Sequence, residues 1–328
     1  MSKSIYLLLS VLAGVIEVGV VIYAINNGYT VLQTLFVVLA YQFGCFFPTN
    51  IILNKPLLLL TGCLSILFAI TSGFYPSFWV LLLAIFLISP LLQLARGINK
   101  SNISTGVKRM FRIIGFSISP IFSPFLLSVL SVIVFIAIVY YVNEDKSKIS
   151  IGFIPAHNLI MVVHQMHYFS YVYILLIIAK KLDAYQGYLV AVYFVLGWLT
   201  YVSAEYIFSG KYYFKYLIFG HIYLLIVLAL MTFIESPLIR VLLWVLTGFG
   251  GGTVFCIKKI FIKFEKYDKY SLETAENYGH ILGVVASIII YCLFRNMSAP
   301  IFFACICAGL TVVLVIIFRL NEKGVKYD

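Results

Sequence analysis

The chain of 328 residues is 63% hydrophobic and only 11% charged, and its mean hydropathy is +1.06. Soluble domains average about 45–50% apolar and about 25% charged residues. The composition therefore excludes a soluble globule, a disordered chain, collagen and a nucleic-acid-binding domain, and it predicts an integral membrane protein. Basic residues of membrane proteins collect in cytoplasmic loops. The net charge of +11 therefore indicates basic loops on the cytoplasmic side.

Apolar runs of the length that crosses a bilayer, about 20 residues, follow one another along the chain. They predict about twelve transmembrane helices, near residues 5–25, 30–50, 56–73, 77–96, 107–122, 125–142, 156–180, 186–208, 213–234, 237–261, 275–295 and 299–319. Turn-forming sequences such as Asn26-Asn27-Gly28 and Glu235-Ser236-Pro237 separate neighbouring runs. The division between the fifth and sixth segments lies where Ser119-Pro120 and Ser123-Pro124 interrupt one long apolar run.

The distribution of basic residues supports that division. With twelve spans and a cytoplasmic N-terminus, 19 of the 23 lysines and arginines lie on the inner side, and the other four are Lys180, Lys181, Arg240 and Arg295. Merging the fifth and sixth segments removes this bias, so the positive-inside rule favours twelve helices. We expect a multi-pass protein of the cell membrane, of the bacterial inner-membrane type, with both termini in the cytoplasm.

An internal repeat is visible at two basic stretches, Arg96–Arg112 and Lys258–Lys269, which lie six predicted helices apart. The helix after each stretch places a charged residue three positions before a glycine and a small residue four positions after that glycine. These residues are Arg112, Gly115 and Ser119 in the fifth helix, and Glu276, Gly279 and Gly283 in the eleventh. The pattern predicts two six-helix halves of parallel topology, as in many secondary transporters.

This organisation resembles the major facilitator superfamily. The fifth helix (Gly115, Pro120, Pro124) and the glycine-rich tenth helix (Gly248 and residues 250–252) are similar to the helices that this superfamily places there. Its loop signature after helix 2, which combines glycine, Asp-Arg and Gly-Arg-Arg, is missing, since residues 48–56 read Pro-Thr-Asn-Ile-Ile-Leu-Asn-Lys-Pro.

The resemblance implies an all-α integral membrane fold of two six-helix bundles related by a pseudo-two-fold axis. It places an N-terminal bundle at residues 1–142, a cytoplasmic linker at 143–155 and a C-terminal bundle at 156–328. It also implies that helices 1, 4, 7 and 10 line a central cavity, with the two halves rocking to give alternating access.

Ionisable groups inside a bilayer are costly, so each is a functional candidate. Glu17 lies in the middle of the first helix between Ile16 and Val18. Because the resemblance places that helix at the cavity, we expect Glu17 to carry the coupling proton. The alternative is a neutral carboxyl group that is hydrogen-bonded to a neighbouring helix.

All five histidines lie in the second half, and three of them, His157, His164 and His167, are spaced to share one face of the seventh helix. We expect a substrate-binding site there, formed by His164, Gln165, His167, Tyr168 and Tyr171. His164 is also a candidate proton carrier. Two alternatives stay open: His164 and His167 could contact a metal ion, or the histidines could serve as structural hydrogen-bonding groups.

Charged residues at the predicted cytoplasmic helix ends suggest a gate. The resemblance packs helix 5 on helix 8, so Arg112 would meet Glu205 when the inner side closes. Glu276 and His280 are four residues apart on the eleventh helix and face the same way, which makes them further gate candidates. The alternative for each is a solvated charge at the membrane interface.

The sequence lacks GxxxxGK[ST], HExxH and TVGYG motifs, and its six cysteines form no CxxC pair. We therefore expect no cofactor and no enzymatic activity. The prediction is a monomeric, proton-coupled secondary transporter that exports a small organic solute, anionic or chelating, in exchange for protons, among membrane lipids and without nucleic acid.

Two alternative functions stay open. The first is a transporter of a metal ion or metal chelate, which would depend on His164 and His167. The second is a polytopic membrane enzyme or flippase acting on lipid-linked substrates. The longest outer connection, around Lys180–Gln186, offers only Asp183 as a catalytic acid, so the sequence favours transport.

Overall fold

The computed structural model describes residues 2–50, 55–98, 105–141, 154–182, 187–208 and 212–324. The described residues form α-helices joined by turns and short 3₁₀ segments. The connection after the second helix lies largely outside the described residues, and so does the predicted linker apart from residues 154–155. Asp183 also lies outside them.

The first part of the chain contains α1 (Ser2–Asn26), α2 (Val31–Asn50), α3 (Lys55–Phe74), α4 (Phe78–Ile98), α5 (Thr105–Ser117), a 3₁₀ segment (Ser119–Ile121) and α6 (Pro124–Tyr141). The second part contains a 3₁₀ segment (Ala156–Asn158), α7 (Leu159–Lys180), α8 (Tyr188–Ile207), α9 (Tyr213–Phe233), α10 (Pro237–Gly251), a 3₁₀ segment (Gly252–Val254), α11 (Phe255–Lys263), α12 (Lys269–Phe294) and α13 (Ser298–Gly324).

The lengths of these helices suit a bilayer. Within the described residues, 9 helical stretches are long and apolar enough to span a membrane, with α10 and α11 forming one interrupted stretch. Two shorter apolar helices, Val31–Phe46 and Pro124–Val139, accompany them. Together with the composition, this makes the chain an all-helical, multi-pass membrane protein.

The fifth predicted helix is shorter than the expected range 107–122. α5 ends at Ser117, and the chain continues as the 3₁₀ turn Ser119–Ile121. Pro120 has no backbone N–H and its ring obstructs a continuing α-helix. The proline therefore ends the helix before the predicted end at residue 122.

The eleventh predicted helix, by contrast, begins earlier than the expected residue 275. It is α12, which starts at Lys269 because the Asp268 carboxylate accepts hydrogen bonds from the backbone N–H groups of Tyr270 and Ser271, at 3.2 and 3.0 Å. This is an N-cap, which satisfies helix donors that otherwise lack partners. Hydrogen bonds from Ser271 and Tyr270 lower the pKa of the exposed Asp268 carboxyl. The predicted basic loop Lys258–Lys269 is helical as far as Lys263, because α11 continues into it, and α12 begins at its last residue.

The chain divides into two compact units, residues 1–151 with 183–195, and residues 152–182 with 196–328. We call them the N-unit and the C-unit. The halves and linker expected from the sequence, 1–142, 143–155 and 156–328, stay a prediction.

In the N-unit, glycines bring α1 and α5 into backbone contact. A Cβ atom on Gly115 would lie 2.2 Å from the Val11 carbonyl oxygen, and one on Gly14 would lie 2.6 Å from the Arg112 carbonyl oxygen. Only glycine fits at such a crossing, a common device for close helix packing in lipid. This contact sets the separation of the side chains beside it.

The C-unit uses the same device between α7 and α12. A Cβ atom on Gly279 would lie 2.5 Å from the Val162 carbonyl oxygen and 2.5 Å from the Gln165 Cβ atom. The glycines of the sequence repeat, Gly115 and Gly279, therefore both lie at a helix crossing.

Candidate functional site

The N-unit contains a partly buried ion pair beside the α1–α5 crossing. Arg112 Nη2 donates to Glu17 Oε2 at 2.5 Å, and the exposed side-chain fractions are 32% and 9%. Glu17 lies three residues after Gly14, and Arg112 lies three residues before Gly115. The close backbone approach at the glycines therefore brings the two charged groups together.

Polar side chains of α2 and α4 surround this pair. The phenol of Tyr41 lies within electrostatic range of both charged groups and of Arg96. Arg96 Nη1 donates to Gln93 Oε1 at 3.0 Å, and Gln93 Nε2 donates to the Cys45 sulfur at 3.2 Å. We call Glu17, Tyr41, Gln93, Arg96 and Arg112 the N-unit polar cluster.

The N-unit polar cluster carries a surplus of positive charge. Glu17 is the only acidic residue within the described helices α1–α6, whereas Arg96 and Arg112 both contribute a permanent cation. The Nε atoms of both arginines are buried and have no hydrogen-bond partner in the described part of the chain. The cluster thus contains unsatisfied donors and one more cation than anion.

The C-unit contains a group of three buried imidazoles. His164 Nδ1 lies 2.8 Å from His221 Nε2, and the ring centroids of His164 and His167 lie 4.9 Å apart. His221 is a member that the sequence did not predict, since it lies alone on α9 and nothing in its spacing points to α7. We call His164, His167 and His221 the imidazole cluster.

Backbone carbonyls fix the tautomers of these rings. His221 Nδ1 lies 2.8 Å from the Leu217 carbonyl oxygen, so Nδ1 must carry the proton and Nε2 holds a lone pair. His164 Nδ1 then donates to that lone pair. His167 Nδ1 donates to the His164 carbonyl oxygen, which leaves its buried Nε2 without a hydrogen-bond partner in the described residues.

The third predicted member of the histidine face lies elsewhere. His157 is in the 3₁₀ turn Ala156–Asn158, where its ring packs edge-on against Phe261 at 4.9 Å and Nε2 lies 3.2 Å from the Lys266 carbonyl oxygen. The prediction of one continuous face assumed that the helix begins before His157, whereas α7 begins at Leu159.

The remaining predicted binding residues lie along α7. Gln165 Nε2 donates to Glu276 Oε1 of α12 at 3.2 Å, and the Tyr171 hydroxyl donates to Thr247 Oγ1 of α10 at 3.1 Å. Tyr168 is half-buried and packs edge-on against Tyr171, at 5.9 Å between centroids. Gln165 and Tyr171 thus each have a protein partner that a solute would have to replace.

The structure gives the contacts of three of the predicted gate residues and the burial of the fourth. Arg112 is paired with Glu17, and Glu276 accepts from Gln165. His280 stacks on Phe169 with 4.0 Å between centroids, and Glu205 is half-buried in the part of α8 that belongs to the C-unit. A gate between Arg112 and Glu205 stays a prediction, and the structure gives Arg112 a different partner.

The metal alternative gains no support from this geometry. Within the described ranges, no group of three or more His, Cys, Asp or Glu side chains is arranged to hold a metal ion. The imidazole cluster explains why: the facing nitrogens of His164 and His221 bond to each other, and carbonyl groups occupy Nδ1 of His167 and His221.

Comparisons with known proteins identify the fold. No protein-family profile and no curated protein sequence matches the chain. The crystal structure of the nucleoside transporter NupG is similar over 99% of this chain and 98% of its own, with a TM-score of 0.62 and 14% identity. The human organic anion transporter MFSD10 (TETRAN) is similar over 95% and 97%, with a TM-score of 0.56 and 13% identity. The chain therefore has a fold of the major facilitator type, as its sequence resemblance implied.

Proposed function

We propose that this protein is a secondary active transporter that moves a small organic anion across the membrane by alternating access, coupled to protons. The observation that carries the proposal is the N-unit polar cluster, a charged site within a fold shared with solved transporters. The arrangement as twelve spans in two six-helix bundles belongs to the same proposal. The fold comparison favours transport over a membrane enzyme.

The charge of the cluster argues for an anionic solute. Glu17 balances one of two guanidinium groups, so a second anion would complete the balance of charge. Guanidinium groups bind carboxylate and phosphate oxygens through paired N–H donors. About a third of the Arg112 side chain is exposed (32%), which leaves surface for a solute to approach.

Glu17 is the group through which a proton would act on this site. A solute carboxylate and the Glu17 carboxylate would compete for the donors of Arg112. Protonation of Glu17 weakens its hold on Arg112 and so favours the bound anion, and the bound anion in turn favours the protonated form, because linkage is reciprocal. Proton and anion thus bind to the same state, which favours movement of both in one direction. The sequence analysis predicted the opposite coupling, in which the solute is exchanged for protons, and the experiment below distinguishes the two.

The test uses purified protein in liposomes that contain a pH-sensitive dye, with mono- and dicarboxylates and organic cations of matched size added outside in turn. We expect carboxylates, but not cations, to acidify the lumen. Arg96→Gln should slow this response at least about tenfold, the change that follows from about 1.4 kcal/mol of lost binding. Lys259→Gln, which removes an exposed charge from α11, is the matched control.

Three results would contradict the proposal in different ways. An equal response to cations would remove the anion preference, and an alkaline lumen would show exchange in place of co-transport. If none of the solutes changed the lumenal pH, the proposed transport function itself would be contradicted.

A further inference from the structure

We infer that His164 and His221 form a single proton-binding site in the C-unit, in which the two imidazoles share one additional proton. Only the role of this proton in transport rests on the proposed function. The site itself rests on the positions of the ring nitrogens and carbonyl oxygens around α7 and α9.

The order of donors and acceptors is fixed in one direction. His164 Nδ1–H donates to His221 Nε2 across 2.8 Å, and His221 Nδ1–H donates to the Leu217 carbonyl oxygen across 2.8 Å. A carbonyl oxygen only accepts, so the second ring cannot reverse its tautomer without losing that bond. The neutral pair is therefore a one-way chain that ends on the backbone of α9.

The pair can take one proton but not two. An added proton makes one ring an imidazolium that donates to the other, and the N–H···N hydrogen bond is kept and becomes charge-assisted. A second proton would place N–H groups on both facing nitrogens, which would break the bond and set two cations 5.0 Å apart between ring centroids. Both side chains are almost completely buried, with exposures of 2% and 0%, so little water is present to reduce that repulsion.

The geometry also determines where the proton enters. His221 Nδ1 is closed by Leu217, and the two facing nitrogens are bonded to each other. The lone pair on His164 Nε2 is then the position of the pair that can accept a proton from outside. His164 is the point of entry, and His221 accepts part of the charge from it.

The surrounding titratable groups oppose any further charge. His167 and His280 lie within electrostatic range of His164, and His167 also lies within range of His221. Tyr171 packs beside His167 on the same helix, at 5.9 Å between centroids. Glu276 of α12 reaches α7 through Gln165. A protonated pair would thus be the one cation among neutral rings.

The experiment needs no solute. Histidine-labelled protein in nanodiscs would be titrated toward acidic pH by nitrogen NMR, in the wild type and in His164→Gln, His221→Gln and His157→Gln variants. Gel filtration and circular dichroism would confirm that each variant is folded. Glutamine at position 221 keeps an acceptor for His164 but cannot take a proton, and His157→Gln is the control outside the imidazole cluster.

We expect a through-bond coupling between the nitrogens of His164 and His221, and one shared midpoint at which the pair takes up one proton. His221→Gln should abolish the coupling and move the His164 midpoint, while His157→Gln changes neither. Two separate midpoints that account for two protons, or no proton uptake by either ring while the protein is folded, would overturn the inference. The liposome assay separates this inference from the proposed function. A shared proton without any solute movement would support the proton-binding site and contradict the proposed transport function.

Discussion

Each of the two units contains a close helix crossing at glycine residues, but the polar groups beside the crossing differ between the units. In the N-unit, the glycine crossing of α1 and α5 brings together a carboxylate and a guanidinium, Glu17 and Arg112. In the C-unit, the glycine crossing of α7 and α12 brings together an amide and a carboxyl group, Gln165 and Glu276. The N-unit pair is fully charged, whereas the C-unit pair lacks a cation.

This difference shows how one helix arrangement can hold two kinds of site. A buried ion pair depends strongly on both members, because the loss of one leaves an uncompensated charge. The loss of one member of the Gln165–Glu276 hydrogen bond leaves an unsatisfied polar group, which costs less than an uncompensated buried charge. We therefore expect substitutions in the N-unit to cost more folded-state stability than matched substitutions in the C-unit.

The largest effect should come from the crossing itself. In Gly115→Ala, the new methyl group would meet the Val11 carbonyl oxygen at 2.2 Å, so α1 and α5 would have to separate and Glu17 would lose Arg112. We expect a loss of about 3 kcal/mol or more, the upper range for overpacking, and little monodisperse protein in fluorescence-detected gel filtration.

Gly73→Ala is the matched control for that substitution. Its methyl group would meet only the Pro124 Cβ atom at 3.9 Å, an ordinary contact. Equal yield and equal melting temperature for the Gly115 and Gly73 variants would contradict the backbone contact between α1 and α5.

The next effect is the ion pair, tested by a double-mutant cycle with Glu17→Gln and Arg112→Gln. Each single substitution leaves a buried or half-buried partner, and we expect a loss of about 3 kcal/mol for Glu17→Gln. The double variant should recover part of that loss, since two neutral amides can bond to each other. Denaturant unfolding in mixed micelles measures this, and strict additivity of the two changes would show that the pair contributes nothing.

Much of the fold could be predicted from the sequence, because apolar length and turn residues determine where helices lie. Gly115, which the sequence analysis used only as part of a repeat, lies at the crossing of α1 and α5. Pro120 and Asp268 altered helix ends for local reasons that hydropathy does not detect. The Arg112–Glu17 pair could not be predicted in this way, because it required knowledge of which helices touch, and the gate between Arg112 and Glu205 stays a prediction.

The candidate site was predictable only where its members share one helix. His164 and His167 were found by their spacing on α7, but His221 comes from α9, and no local pattern links it to them. Tyr41 and Arg96 were missed for the same reason, since Tyr41 of α2 lies within electrostatic range of Glu17 and Arg112, and Arg96 of α4 within range of Tyr41. A polar site between helices depends on tertiary contacts, and a single sequence does not specify those.

A smaller effect is expected at the C-unit pair. Glu276→Leu removes the acceptor of the Gln165 amide, a hydrogen bond of 3.2 Å, and we expect a loss of about 1–2 kcal/mol for the unsatisfied donor. Gln165→Leu should cost a similar amount, because it leaves the same bond unmade. The same denaturant assay checks this, and a cost equal to that of Glu17→Gln would remove the contrast between the two units.

The smallest effect concerns the start of α12, which is fixed by a charge outside the membrane. Asp268→Ala should cost about 1 kcal/mol or less, as for other N-caps, and it should lower the melting temperature by about 1–2 °C. Asp268→Asn keeps a capping oxygen and should cost less.

The pH dependence of this cap has a definite sign. Hydrogen bonds from Ser271 and Tyr270 lower the Asp268 pKa in the folded chain, so the carboxylate stabilises the fold above the ordinary carboxyl pKa. That contribution is lost as the pH falls through the lowered folded value. Melting curves between about pH 7 and about pH 3 should therefore show the wild type converging on Asp268→Asn as the pH falls. A difference that stays constant over this range would show that the Asp268 charge does not stabilise α12.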